Sequence, residues 1–198
     1  MMLNNHPFTW RLSNVGLHYW IHSKKEIKKR LFICASGYEK RCASWVQRIL
    51  KYFPKSNLNI FMVLGFKDFP SALSRPANDI FYQDNGLEIQ SFFSNEYAEF
   101  KNYLISKINE MTNSGNIPLE IHIDYSCMPR VWYCNLPFII NELLRPNDNV
   151  FFWYTAGRYP ETEYPTTGIE DFHVFSGMPS LNPPLRTHNL GLGFDRIR

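Results

Sequence analysis

The chain between residues 31 and 156 alternates short apolar runs with segments of helical periodicity. Five apolar runs have the length of strands, and the second, NIFMVLGF, is the kind of continuous run expected for a strand buried on both faces. The predicted strands are residues 31–35, 59–66, 87–92, 119–124 and 149–156.

Helical spacing is found in three of the segments between these runs. Residues 43–53 (ASWVQRILKYF) and 95–112 each place apolar side chains on one face, and the second ends at an Asn-Ser-Gly stop. Residues 129–144 form a third predicted helix, in which Pro137 should introduce a kink or a break. The region containing Pro70, Pro76 and Gly86 shows neither pattern and is predicted to be a long polar connection.

Strands that alternate with helices and are apolar throughout predict an α/β fold. We expect a Rossmann-like three-layer sandwich with a mostly parallel sheet, formed by residues 1–156. Residues 157–198 are rich in Pro, Gly, Thr and Asn and predict an extended C-terminal segment. Its apolar side chains suit an interface with a partner protein or a second copy of the chain. These side chains are Phe172, Phe175, Leu181, Leu190, Leu192 and Phe194.

Composition narrows the class of protein. A chain of 198 residues with 44% hydrophobic and 20% charged residues fits one soluble domain, although 16% aromatic residues is high. The net charge of +3 does not argue for nucleic acid, and the basic segment 24–30 (KKEIKKR) fits either a solvated helix end or a nucleic-acid patch. No run approaches the ~20 apolar residues of a membrane span. Four cysteines without CxxC spacing, and a start unlike a signal peptide, favour a cytoplasmic protein with reduced thiols.

Three polar loops follow predicted strands, at residues 36–41, 124–130 and 155–159. Because the carboxyl ends of parallel strands meet at one edge of a sheet, we expect these loops to lie together. The loop at 36–41 leaves its strand by a glycine turn and enters a helix whose N–H groups face an anion. In the loop at 124–130, Ser126 or Cys127 is a candidate N-cap, and Pro129 is suited to the first helical turn.

The side chains of these loops suit a nucleotide-like ligand. Arg41 and Arg130, with two helix N-termini, would take phosphate, and Asp124 would accept ribose hydroxyls. Tyr38, Tyr125 and Tyr159 would stack on a base. The predicted ligand-binding residues are Ser36, Gly37, Tyr38, Arg41, Ser126, Arg130, Arg158 and Tyr159. Structural roles remain open for each: the serines as helix caps, Arg130 as the ion-pair partner of Asp124, and the tyrosines as core edges.

An enzymatic alternative uses the two carboxylates as catalytic residues. Glu39 could stabilise an oxocarbenium-like centre during cleavage of an N-glycosidic bond, while Asp124 holds the ribose. Nucleophilic catalysis by Cys34 or Cys127 is disfavoured, because the phosphatase spacing fails and no His partner is placed. A metal site is not predicted, since His18 and His22 have no carboxylate arranged beside them. No cofactor is predicted either, because GxGxxG, P-loop, GxSxG and HExxH motifs are absent from the sequence.

The stretches ICASGYEKR and IDYSCMPRVW resemble the CARF-type, Rossmann-like ligand-sensing domains of prokaryotic antiviral defence systems. The resemblance covers residues 31–156 and implies that Ser36, Gly37, Asp124, Ser126 and Arg130 contact the ligand. Where that family has glycines followed by Lys, this chain has Cys-Met-Pro-Arg at 127–130.

These expectations lead to one predicted function and two alternatives. The prediction is a sensor or accessory subunit of an anti-phage assembly that binds a nucleotide or oligonucleotide. The alternatives are the N-glycosidic hydrolase and a structural subunit that binds only protein.

Overall fold

The computed structural model of the protein describes residues 28–68, 70–71, 73–113 and 117–155. These residues form five strands and five helices. The strands are β1 (Lys29–Ser36), β2 (Asn59–Phe66), β3 (Ile89–Phe92), β4 (Leu119–Asp124) and β5 (Asn149–Trp153). The helices are α1 (Cys42–Tyr52), α2 (Arg75–Asp84), α3 (Tyr97–Asn113), α4 (Arg130–Tyr133) and α5 (Leu136–Asn141).

The five strands form one parallel sheet in the order β3-β2-β1-β4-β5. The central strand β1 pairs with both β2 and β4, so that Ile33 lies opposite Met62 on one side and Ile123 on the other. All six residues of β4 are buried. The predicted Rossmann-like α/β fold is therefore confirmed.

Helices cover both faces of the sheet. On one face α3, α4 and α5 bury a large apolar cluster centred on Trp132, whose ring stacks on Phe100 with centroids 5.1 Å apart. On the other face α1 and α2 pack a smaller cluster that includes Trp45 and Tyr82 against Phe32. These three layers explain why strands with apolar side chains on both faces are stable here.

The polar side chains of β4 all point to the face covered by α1 and α2. Glu120 is fully buried and pairs with Lys28 at 3.2 Å and with the Arg30 Nε at 3.4 Å. His122 Nδ1 accepts a hydrogen bond of 3.1 Å from the Trp153 indole N–H. The third of these side chains, Asp124, lies at the carboxyl end of the strand. The alternation of apolar and polar residues in this strand thus marks two different buried environments rather than one buried and one solvated face.

Three local predictions change in the structure. The region predicted as a polar connection contains α2, which begins at Arg75 with Pro76 in its first turn. The predicted helix 129–144 is two short helices, and the predicted break lies just before Pro137, which is in the first turn of α5. The basic residues 28–30 begin a strand rather than end a helix, since Lys29 is the first residue of β1.

Other predictions concern residues outside the described part of the chain. These are the histidines at 18 and 22, the basic residues before 28 and the C-terminal segment 157–198. Within the part that is described, no helix combines the length and the apolar character needed to cross a bilayer.

Candidate functional site

The loops that follow β1 and β4 touch each other at the carboxyl edge of the sheet. The chain reverses its direction of travel across the sheet between these two neighbouring strands, and open α/β sheets bind ligands at such a point. A Cβ atom on Gly37 would lie 3.1 Å from the Cys127 carbonyl oxygen and 3.2 Å from the Cys127 Cβ. Glycine at position 37 therefore allows the two loops to approach closely, and the predicted meeting of the loops is observed.

Arg41 joins the three loops. Its Nε donates to the Glu39 Oε2 at 2.8 Å and its Nη2 to the Glu39 Oε1 at 3.1 Å, which makes a bidentate pair. Its Nη2 also donates to the Ser126 carbonyl at 3.1 Å, and its Nη1 donates to the Thr155 carbonyl. Although burial opposes the charge, hydrogen bonds to Glu39 and Tyr154 raise the pKa of Arg41 above its usual value. The guanidinium is thus a permanent positive charge that holds the edge of the sheet together.

Asp124 and Ser126 form a buried hydrogen-bonded unit beside Arg41. The backbone N–H of Ser126 donates to the Asp124 Oδ1 at 3.1 Å, and the Ser126 hydroxyl donates to the same oxygen. The hydroxyl in turn accepts a hydrogen bond of 2.6 Å from the Thr155 N–H. Burial raises the pKa of Asp124 to about 6, although the hydrogen bonds from Ser126 and the charge of Arg41 act in the opposite direction. The Ser126 hydroxyl takes the place on Asp124 that was predicted for a ribose hydroxyl.

The first loop is fixed by α2, the helix that the sequence did not predict. The Asn78 amide donates to the carbonyl oxygens of Gly37 and Glu39 at 2.8 and 3.0 Å. The Ser36 hydroxyl donates to the Asp79 Oδ1 at 2.6 Å, and the same oxygen accepts from Arg75. These contacts make the loop a rigid part of the scaffold.

A sequence signal for α2 exists. Pro76 is followed by a run without Gly or Pro that ends before Gly86, which has φ +67°. Proline near the start and glycine after the end are typical of a helix.

Three tyrosines form a cluster on the outer side of the site, which we call the tyrosine cluster: Tyr125, Tyr133 and Tyr154. The Tyr125 ring centroid lies 5.6 Å from that of Tyr133 and 5.4 Å from that of Tyr154. The Arg41 guanidinium carbon lies 5.1 Å from the Tyr154 ring centroid, a cation–π distance. Arg130 is exposed and acts electrostatically on Tyr133. The cluster therefore presents aromatic faces beside Arg41, and Arg130 lies in the same short helix as Tyr133.

Two predicted residues lie elsewhere or have other roles. Tyr38 is not in the cluster, because its hydroxyl donates to the Asp68 carbonyl at 2.6 Å and its ring packs on Phe66 beyond β2. The predicted N-cap role of Ser126 or Cys127 is wrong: the N-cap of α4 is Pro129, and this helix has only four residues. The helix therefore supplies no N-terminal anion site. The predicted ligand residues Arg158 and Tyr159 lie outside the described residues.

The alternative structural roles of the remaining candidates are resolved in part. Ser36 bonds to Asp79 and caps no helix. In the described ranges, Asp124 has no ion pair with Arg130. Glu39 lies at the surface, with 39% of its side chain exposed, and pairs with Arg41. The two carboxylates of the enzymatic alternative therefore differ sharply in access to solvent, since Asp124 is 2% exposed.

Metal binding finds no support in the described part of the chain, where no group of three His, Cys, Asp or Glu side chains could hold an ion. Comparison of the chain with protein-family models, with curated proteins and with solved structures gave no match. The site is thus described by its own geometry alone.

Proposed function

We propose that the carboxyl edge of the sheet binds a nucleotide-like anion, with its base on the tyrosine cluster and its phosphate between Arg130 and Arg41. The observation that carries this proposal is the group of three tyrosines beside Arg41, with the exposed Arg130 in the same helix as Tyr133. Aromatic side chains bind bases of any identity by stacking, and arginine suits the geometry of phosphate oxygens.

Exposure supports the tyrosine cluster as a binding surface. Tyr154 is 53% exposed, while Tyr125 and Tyr133 are half-buried and keep their rings in place. Burial raises the pKa of both half-buried tyrosines, so their hydroxyls remain neutral hydrogen-bond donors at neutral pH. A platform of this kind costs little side-chain entropy when a ligand binds.

The Glu39 carboxylate is hydrogen-bonded to the Arg41 guanidinium, and we propose that the ligand's phosphate replaces this carboxylate when it binds. A carboxylate bound through two hydrogen bonds is the closest mimic of such a group that a protein side chain offers. Because its side chain is exposed over 39% of its surface, Glu39 can turn toward solvent when a stronger anion arrives. On this proposal, Glu39→Gln strengthens ligand binding.

The biological role follows the resemblance to CARF-type domains. We propose that the protein is a sensor or an accessory subunit of a prokaryotic antiviral defence assembly, in which ligand binding at this edge is the input. The resemblance supports the sensing role, and the tyrosine cluster supports the ligand class.

Thermal stability in the presence of candidate ligands tests the proposal. The panel contains nucleotides, NAD and short cyclic oligonucleotides, and each mixture is assayed afterwards for breakdown products. A ligand at 100 times its Kd should raise the midpoint by about 5–10 °C. Tyr154→Ala removes a stacking face worth roughly 1–3 kcal/mol and should weaken binding roughly 5-fold to 150-fold. Arg130→Ala should weaken the binding of charged ligands most.

Matched controls lie away from the edge. Tyr52→Ala removes an equally exposed tyrosine, at 51%, from the end of α1, and Arg48→Ala removes an exposed arginine from the middle of that helix. Both variants should keep the full ligand shift. The proposal fails if no compound raises the midpoint, or if Tyr154→Ala and Arg130→Ala respond like the controls. Breakdown of the ligand that stops in Glu39→Gln would favour the hydrolase instead.

A further inference from the structure

Two cysteines from different parts of the sequence meet beneath the site. Cys42 is the first residue of α1, and Cys127 belongs to the loop after β4. A Cβ atom on Gly37 would lie 3.2 Å from the Cys42 Sγ and 3.2 Å from the Cys127 Cβ, so the two side chains pack on the same side of that glycine. The two thiols lie close enough for each to shift the pKa of the other.

The surroundings of the pair favour negative charge on Cys42. Besides the Cys127 thiol, the backbone N–H groups of Gly37 and Glu39 donate to the Cys42 sulfur. The hydrogen bond from Cys127 and these amides lower the pKa of Cys42 against the effect of its burial. The same hydrogen bond, together with burial, raises the pKa of Cys127. The shared proton therefore resides on Cys127.

Access differs between the two sulfurs in a way that suits a two-step oxidation. Cys42 is 2% exposed, whereas Cys127 is only partly buried. A small oxidant would therefore reach the Cys127 sulfur first. The other two cysteines lie apart from this contact. Cys34 is fully buried with its thiol aimed at the Met62 carbonyl, and Cys134 lies beside Arg130.

We propose that Cys42 and Cys127 form a reversible disulfide when the protein meets a peroxide, and that this bond crosslinks α1 to the loop after β4. The nucleotide-binding proposal uses neither thiol, so this redox site stands independently of it. The crosslink would join two loops that Arg41 otherwise holds by hydrogen bonds.

The chemistry balances with hydrogen peroxide as the two-electron oxidant. In the less populated form of the pair the proton has moved from Cys127 to Cys42, and the Cys127 thiolate, which is the more exposed sulfur, attacks one peroxide oxygen. The O–O bond breaks, which leaves a sulfenic acid on Cys127 and releases hydroxide. That hydroxide takes the proton from Cys42 and becomes water. The Cys42 thiolate then attacks the Cys127 sulfur, the S–S bond forms, and the S–O bond breaks to release hydroxide. Two sulfurs are each oxidised by one electron, and the two peroxide oxygens are reduced to one water and one hydroxide.

The intact full-length protein, treated with graded hydrogen peroxide, tests this proposal. Remaining thiols are alkylated under denaturing conditions, and the peptides are mapped by mass spectrometry. We expect a linked peptide containing Cys42 and Cys127 that dithiothreitol separates. Cys134→Ser, the matched control, should form the same linked peptide. Cys127→Ser should form none and should leave the buried Cys42 unmodified.

A second measurement follows the crosslink in the folded protein. A disulfide between residues far apart in sequence restricts the unfolded chain, so the oxidised protein should have a higher thermal midpoint than the reduced protein. This difference should disappear in Cys127→Ser and persist in Cys134→Ser.

Three results would overturn the proposal. In the first, Cys127 accumulates as sulfinic acid without a linked peptide. In the second, peroxide oxidises Cys42 in the Cys127→Ser variant as fast as it does in the wild-type protein. In the third, the linked protein has a lower midpoint than the reduced protein.

Discussion

Asp124 makes the stability of the protein depend on pH in an unusual direction. Burial raises the pKa of this carboxyl to about 6 in the folded protein, whereas an unfolded Asp titrates near 3.9. The folded state therefore binds more protons than the unfolded state between these two values. Stability due to Asp124 is fully present below about pH 4 and is lost as the pH rises through about 6.

The size of the effect follows from the shift. The pKa rises from near 3.9 in the unfolded chain to about 6 in the folded protein, and each unit corresponds to 1.36 kcal/mol, so ionised Asp124 costs roughly 3 kcal/mol above pH 7. Asp124→Asn removes the ionisation and keeps an oxygen that accepts the two hydrogen bonds from Ser126. The free energy of unfolding of the wild type, minus that of the variant, should therefore fall by roughly 2–3 kcal/mol between pH 4 and pH 7.5.

Urea denaturation of both proteins at a series of pH values measures this difference. Other groups titrate in the same range, but they contribute equally to both proteins and cancel in the subtraction. Ser126→Ala provides a second check, because loss of its hydroxyl removes a hydrogen bond that lowers the pKa of Asp124. The inflection should then move to higher pH. A wild-type-minus-variant difference that stays flat from pH 4 to 7.5, or rises, would refute the reasoning.

Two further predictions concern packing. Trp132→Ala should lower the free energy of unfolding by about 3–5 kcal/mol, because the ring is fully buried against Phe100. Trp132→Phe should lower it clearly less, since the indole N–H that this variant removes has no hydrogen-bond partner among the described residues. Both are measured by urea denaturation, and equal losses would contradict the packing argument. Gly65→Ala should lower the free energy of unfolding by about 1–3 kcal/mol, since the new Cβ would lie 2.5 Å from the Ser91 Oγ and 2.6 Å from a guanidinium nitrogen of Arg75. An unchanged urea midpoint would show that both side chains move aside freely.

The strands could be predicted from the sequence because most of them contain an apolar run or an apolar-polar alternation of strand length. A buried parallel strand needs apolar side chains on both faces, as in β2, and few other structures produce such runs. Helix α2 could not be predicted in the same way, because its buried side chains are mostly polar. Arg75 and Asn78 are buried, and they bond to loop carbonyls instead of packing in the core. Apolar periodicity does not detect a helix of this kind.

The location of the site could be predicted, but the state of its side chains could not. The parallel sheet brings the loops at Gly37 and Ser126 together whatever their composition, so the strand order alone predicts their meeting. Whether Asp124 faces a ligand or a neighbouring hydroxyl depends on the conformation of its loop, in which the Ser126 side chain turns back to the carboxylate. The contact of Cys42 with Cys127 is invisible to spacing rules, since it joins the start of α1 to the distant loop after β4.

If the edge binds a nucleotide-like anion as proposed, the bidentate pair between Glu39 and Arg41 sets which anions it can accept. A ligand must first release Glu39, and a partly exposed pair of this kind is worth only about 0–1 kcal/mol. On that proposal, a phosphate that also contacts Arg130 would exceed this value because its oxygens carry more charge, whereas a chloride or a single carboxylate gains nothing over Glu39. We therefore expect Glu39 to act as a threshold against weak anions, while the tyrosine cluster adds the stacking energy that only a ligand with a base can supply. The proposed selectivity for nucleotides over free phosphate follows from the two contributions together.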